Sequence, residues 1–284
     1  MSTSTPGTTR PRYARKKTTP GRIICVGTHH KTGTVWMRKV FRGIANDQDI
    51  PFMQVNRAKR MADIPETGPC ICVNWHSAFP PEMLAHPDAR FIHIIRDPRD
   101  VLLSGLRYHR VAGLGNEKFL REKRDEWGGK NYQDHLNSIT DEHDALIFEM
   151  EHKHHETLQE MLHWDYGHPN SIEIAYEDLI EDTDCSLFRD TLEKIAAPGV
   201  DIDRAVQVYW DKSLFGGLAK KEDRESAVPG EHVASGKPAQ WVENLPRDVA
   251  ETYVKRYGND LKELKYEKNL KWVADCKPRE TEPA

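Results

Sequence analysis

The sequence predicts an α/β fold: a single domain with a central parallel β-sheet flanked by helices, and a P-loop-like phosphate-binding loop after strand one. Three observations carry this. Short apolar runs alternate with helix-periodic stretches along the chain, as a parallel sheet covered by helices requires. The segment Thr28-His-His-Lys-Thr-Gly-Thr-Val-Trp36 joins an apolar run at 23–26 to a helical pattern. Asp97-Pro98 opens another helix directly behind an apolar run, with Asp suited to the cap and Pro to the first helical position.

Taken in order, residues 22–27 form strand one and residues 35–45 a helix with Met37, Val40, Phe41 and Ile44 on one face. Residues 70–74 and 91–95 are strands. The helix behind Asp97 runs to about His109. A long helix covers 141–164, with Leu146, Met150, Leu158, Met161 and Leu162 as its buried stripe. A strand at 171–175 and helices at 187–196, 202–209 and 247–257 follow. Residues 216–237 are charged and glycine-containing, and too long for an ordinary connection, which predicts a mobile lid or binding loop. No repeat or linker interrupts residues 21–268. A basic tail at 1–20, rich in Ser, Thr, Pro and Gly, is predicted disordered, and 269–284 form a C-terminal tail.

The 284 residues suffice for one large domain, and 38% apolar with 30% charged residues suits a soluble globular protein. A formal net charge of −4 argues against a general polyanion or nucleic-acid binder. The tail carries Arg10, Arg12, Arg15, Lys16 and Lys17 without an acid, which reads as a solvated arm. No run reaches transmembrane length, and the first residues lack the apolar core of a secretory signal. Five cysteines show no framework spacing, and Cys25, Cys70 and Cys72 fall in strand-like runs. Reduced, buried thiols in a cytoplasmic protein are expected.

Two segments carry phosphate chemistry. A helix N-terminus behind a strand gathers N–H groups and a favourable dipole at one point. Lys31 adds charge there, Thr32 and Thr34 add hydroxyls, and Gly33 lets the backbone come close to a ligand. Lys precedes Gly, so the order differs from the Walker A pattern, and no Mg²⁺-binding acid stands out. In Arg96-Asp-Pro-Arg-Asp-Val-Leu-Leu-Ser104, Arg96 ends a strand, where open α/β sheets bind ligands, and Ser104 lies two helical turns on. A guanidinium fork and a short hydroxyl suit a second phosphate. The plain alternatives are a chance Lys-Thr-Gly-Thr turn and a strand-end arginine paired with Asp97 or Asp100.

Together these segments resemble the PAPS-dependent sulfotransferases. Tyr176-Glu-Asp-Leu179 is similar to that family's segment after a strand, and Ser235-Gly-Lys-Pro-Ala-Gln-Trp241 to its glycine-x-x-x-x-tryptophan loop. The resemblance implies the donor 3′-phosphoadenosine-5′-phosphosulfate (PAPS), the product PAP, and no metal. It assigns the 5′-phosphosulfate to Lys31, Thr32, Gly33, Thr34 and Val35, and the adenine side to Trp36, Tyr176, Ser213 and Phe215. The 3′-phosphate falls to Arg96 and Ser104, joined by Ser235, Gly236 and Lys237. His76, after a strand and before Pro80, stands where similar members carry a catalytic base, beside Lys31 as the leaving-group cation. A histidine that only hydrogen-bonds at a strand end is the bland alternative.

Two positions depart from the family. Asn74 stands where a lysine is usual, which leaves Lys31 more of the leaving-phosphate stabilisation. Ala234-Ser235-Gly236 replaces the common Arg-Lys-Gly, with charge returning only at Lys237. The resemblance implies in-line sulfuryl transfer to a hydroxyl or amine of a small acceptor, and the polar, charged segments 45–60, 109–133 and 216–233 point to a polar one, with no membrane or nucleic-acid partner expected and a homodimer possible. A P-loop kinase of small molecules or nucleotides, and a non-catalytic PAP-binding module, are the competing readings.

Several residues are set aside. His152, His154 and His155, with Glu149, Glu151 and Glu156, read as a solvated helix face rather than a metal site. His29 and His30 border the phosphate loop. Trp127, Trp164 and Trp210 read as core or cleft wall, and Tyr108 and His109 as candidates to face the acceptor.

Overall fold

The computed structural model describes residues 18–113, 115, 117–196, 198–220, 222 and 236–278. The basic tail through residue 17, Ser235 and most of the expected lid lie outside them. The chain forms two compact units. One holds the described residues 18–96 and 163–222, and the other 97–162 and 236–278.

The first unit contains the sheet. Its strands are β1 (Ile23–Gly27), β2 (Phe52–Gln54), β3 (Cys70–Asn74), β4 (Ala89–Ile95) and β5 (Ser171–Ala175), in the order β2-β3-β1-β4-β5. All four pairings are parallel, with Gly27 opposite Asn74 on one side and His93 on the other. Strands buried on both faces read as continuous apolar runs, and β1, β3 and β4 are buried throughout.

On one face, Ile24, Val26, Ile71, Val73, Ile92 and Ile94 meet α1 (Thr34–Asp47), α8 (Ser186–Ile195) and α9 (Ile202–Asp211). Helix α1 supplies Met37, Val40, Phe41 and Ile44, the predicted stripe, each worth about 1.5–3 kcal/mol when fully buried. The other face, Ile23, Cys25, Cys70, Cys72 and Phe91, packs against Phe79, Trp164 and Met83 of α2 (Pro81–Leu84). All five cysteines are free thiols and buried. Strand β2 is absent from the sequence reading because three residues are too few for a period.

The second unit is helical: α3 (Pro98–Val111), α4 (Tyr132–Ser138), α5 (Glu142–Glu151), α6 (Lys153–Leu162) and the helix Arg247–Glu263. The long helix expected at 141–164 is two helices, broken at His152, whose backbone leaves helical space at φ −114, ψ −102. On an unbroken helix, at roughly 100° per residue, Glu149 and His154 would point about 140° apart. The break lets both face inward, each 1% exposed. Of the six residues expected on a solvated face, Glu149 and His154 are therefore buried, His152 is half-buried, and Glu151, His155 and Glu156 are exposed as expected. Glu149 accepts from Tyr132 Oη at 2.8 Å and lies 2.8 Å from His109 Nδ1, while His154 Nε2 meets Tyr253 Oη at 3.0 Å. Burial lowers His154 to about 4. Burial works to raise Glu149, but His109 and the Tyr132 hydroxyl hold it below the usual carboxylate range.

Part of the expected C-terminal tail, 269–284, is ordered, and 279–284 lie outside the described residues. Lys271–Asp275 form a 3-10 turn whose Trp272 is 3% exposed. Trp210, expected as core or cleft wall, is 43% exposed.

Candidate active site

A parallel sheet places all its C-terminal strand ends along one edge, and four of the candidate residues follow directly from them. The loop with Lys31 leaves β1, His76 lies two residues past β3, Arg96 one past β4, and Tyr176 one past β5, opening α7 (Tyr176–Glu181).

The β1 loop is folded around His29. Thr32 Oγ1 accepts from the His29 N–H at 2.8 Å and donates to the His29 carbonyl at 3.0 Å, where Thr34 Oγ1 also donates at 2.7 Å. Thr28 Oγ1 lies 2.8 Å from Thr34 Oγ1 and, since that proton is taken, is the donor. The Thr32 and Thr34 hydroxyls, expected to add donors for a phosphate, bond to the His29 carbonyl and set the loop's shape. Lys31 sits at φ 62 and Gly33, the cap of α1, at φ 100. A Cβ on Gly33 would also come 3.0 Å from Tyr176 Cδ2, so the glycine serves both the turn and a close approach. The first-turn amides of α1 then open at the loop.

His29, read as a loop residue, is fully buried, with Nε2 2.8 Å from His93 Nε2. His93, which stacks on Trp164 at 4.3 Å, was not singled out from the sequence. Its signal is a polar residue in the middle of the apolar run 91–95.

Arg96 is 6% exposed and donates from Nη1 to the Lys31 carbonyl at 3.1 Å, with its guanidinium carbon 4.6 Å over the Tyr176 ring. Trp36 lies edge-on to Tyr176 at 6.2 Å and to Phe215 at 6.3 Å, and stacks on Tyr209 at 5.4 Å. Its indole N–H is buried with no hydrogen-bond partner among the described residues. Ser213, read as an adenine contact, is buried and donates to the Trp210 carbonyl at 2.8 Å, closing the end of α9.

His76 is exposed on the turn after β3. Asn74 is 2% exposed, and its side chain bonds backbone groups of residues 55, 76 and 78. It is a structural element of that turn, where sequence reasoning saw only a missing lysine.

In the helical unit, Asp97 caps α3 by accepting from Arg99 N at 3.0 Å. Arg99, fully buried, pairs with Asp97 at 2.7 Å and Glu267 at 2.8 Å. Its guanidinium lies 3.7 Å from the Trp241 ring and 4.6 Å from that of Trp272. Burial works to lower its pKa, but the Asp97 and Glu267 carboxylates outweigh it and hold it above the ordinary value. Asp100 accepts from Trp241 N at 3.0 Å, anchoring the segment that carries Gly236 and exposed Lys237 to the start of α3. Ser104, half-buried, is one turn further along that helix. Tyr108 and His109, candidates to face an acceptor, are interior residues at 4% and 0% exposure. Among the described residues no group of three or more His, Cys, Asp or Glu is arranged to hold a metal ion. No helix among them is long and apolar enough to cross a membrane.

Comparison with known proteins gives three results. Among solved structures, retinol dehydratase in complex with retinol and PAP is 17% identical, covering 87% of this chain and 83% of that one, with a TM-score of 0.48. The same description with androsterone and the inactive cofactor PAP is 16% identical over 87% and 82%, at 0.46. Mouse sulfotransferase SULT7A1 complexed with PAP is 14% identical over 86% and 87%, at 0.46. No curated protein matches the sequence. The model of the sulfotransferase domain matches residues 21–190, more than half of the chain. That span runs from β1 into α8 and takes in Lys31, His76, Arg96 and Tyr176, and the chain belongs to the sulfotransferase domain family.

Proposed function

We propose that this protein transfers the sulfuryl group of PAPS to a hydroxyl or amine of a small, polar acceptor. The observation that supports this most is the meeting of Lys31, the N-terminus of α1 and Arg96 at one sheet edge, with Arg96 bonded to the Lys31 carbonyl and lying over Tyr176. Such a corner offers N–H groups, a helix dipole and two cations to a phosphorylated nucleotide. The aromatic group of Trp36, Tyr176 and Phe215 beside it suits an adenine, and the buried Trp36 N–H, without a partner among the described residues, is a ready donor to the nucleotide.

His76 acts as the base. It takes the acceptor's proton as the hydroxyl or amine attacks sulfur, and the S–O bond to the 5′-phosphate breaks with PAP as leaving group. Its imidazole is exposed on the turn after β3, and histidine is the commonest general base in proton transfer. Negative charge grows on the bridging oxygen, and in this reading Lys31 and the amides of α1 stabilise it.

Incubation with PAPS and a panel of alcohols, phenols and amines, read by mass spectrometry, should give a sulfated product and PAP. Failure to bind PAP at micromolar concentration would sink the proposal. His76→Ala should lower turnover by about 10²–10⁴-fold, the usual contribution of a positioned base, with PAP affinity nearly unchanged. If turnover survives, another group is the base.

A further inference from the structure

We propose that Asn74 is a positioning residue: it fixes the turn carrying His76 and registers that turn against the phosphate loop. This rests on the reading of His76 as the base. The Asn74 amide uses its full bonding capacity on backbone. Nδ2 donates to the Val55 carbonyl at 3.0 Å and to the Ala78 carbonyl at 2.8 Å. Oδ1 accepts from the His76 N–H at 3.0 Å and the Ala78 N–H at 3.2 Å. An amide offers two donors and two acceptor sites, so no capacity is left for a ligand.

The same residue reaches the phosphate loop through its backbone. The Asn74 carbonyl accepts both Thr28 N and Ser77 N at 3.2 Å. Ser77, held at φ 52, returns its hydroxyl to the Thr28 carbonyl at 3.1 Å. A Cβ on Gly27 would lie 2.6 Å from that hydroxyl, so the glycine in β1 is what lets the two loops approach. Thr28 in turn donates to Thr34, the first residue of α1. A chain of bonds therefore runs from the backbone of His76 through Asn74, Ser77 and Thr28 to the helix N-terminus. Base and loop are held in one frame by the residue at the position where the resemblance places a lysine. A lysine could donate to the two carbonyls but could not accept from the two amides.

The test uses the full chain, with amide hydrogen exchange in the absence of any nucleotide and with PAP titrations followed at the histidine imidazole signals. Asn74→Ala should speed exchange at His76 and Ala78 by about tenfold or more, the scale of a lost hydrogen bond, and leave Val26 and Cys72 unchanged. The His76 signal, identified by its loss in His76→Ala, should shift with PAP in the wild type and stay still in Asn74→Ala, at nearly equal PAP affinity. Asn74→Asp, nearly isosteric, keeps the acceptor oxygen and should keep His76 and Ala78 protected even if Asn74→Ala folds poorly. Unchanged exchange in Asn74→Ala, loss of protection in Asn74→Asp, or a His76 signal that still follows PAP would overturn the proposal. So would a large loss of PAP affinity, which would make Asn74 a donor contact. A wild type that does not bind PAP counts against the sulfuryl-donor reading alone, since the exchange measurement needs no nucleotide.

Discussion

Arg96 and Arg99 stand three residues apart in one motif, and the two units of the molecule use them in opposite ways. In the sheet unit, Arg96 takes a carbonyl and an aromatic face at the edge where four strand ends carry candidate residues. In the helical unit, Arg99 is sealed between two indoles and two carboxylates. The same guanidinium fork meets a neutral carbonyl and a ring in one place and two carboxylates in the other. The helical unit repeats the habit with Glu149, His109 and Tyr132, and with His154 and Tyr253. Buried charge of this kind is costly to break once formed, because the partner is left uncompensated. The bonds described for Arg96 go to a neutral carbonyl and an aromatic ring, so its removal costs a hydrogen bond and a ring contact.

The largest expected effect follows from that asymmetry. Arg99→Ala should lower stability by about 3–5 kcal/mol in denaturant unfolding, since Asp97 and Glu267 lose their shared partner. A loss below about 1 kcal/mol would show the network to be incidental.

Acid should find the helical unit next. Folding holds His154 at about 4, below its ordinary 6.5. As pH falls from about 6.5 to about 4, the unfolded chain takes up a proton that the folded chain refuses. Stability is lost across that window, by up to about 3 kcal/mol. Glu149, whose folded value is lowered, adds a further loss as pH falls through it. His154→Gln, able to keep the bond to Tyr253, should flatten the upper part of the profile in unfolding midpoints measured from pH 7 to pH 4.

Arg96→Ala should behave unlike Arg99→Ala. PAP binding should weaken by about 1.5–3 kcal/mol, the worth of a hydrogen bond to a charged group, as read by calorimetry. The unfolding midpoint should fall by less than in Arg99→Ala, by the worth of one hydrogen bond and a ring contact. Equal loss of stability in both variants would erase the distinction between the two arginines.

How much of this was legible in the sequence depended on which forces decided each feature. Strands 70–74 and 171–175 appear with the predicted limits because a buried parallel strand is a short apolar run bounded by turn residues. The loop after β1 and the cap at Asp97 were readable because strand-loop-helix chemistry is local. The break at His152 was not, since no glycine or proline marks it. His152 Nδ1 lies 2.7 Å from the Phe148 carbonyl, and the break serves contacts of Glu149 and His154 with residues far along the chain. Thr32 and Thr34 were rightly placed in the loop, but the direction of a hydroxyl proton is settled by its neighbours. Asn74 makes the same point. A motif names the residue type at a position and says nothing of where its four bonds go.

The buried thiols have a use that their inertness suggests. Cys25, Cys70, Cys72 and Cys185 lie in the sheet unit and Cys276 in the helical one, all covered in the folded chain. An alkylating reagent can reach them only when the structure around each one opens. Peptide-resolved alkylation would thus time the opening of the two units separately, with no label added, and show whether a nucleotide slows one clock or both.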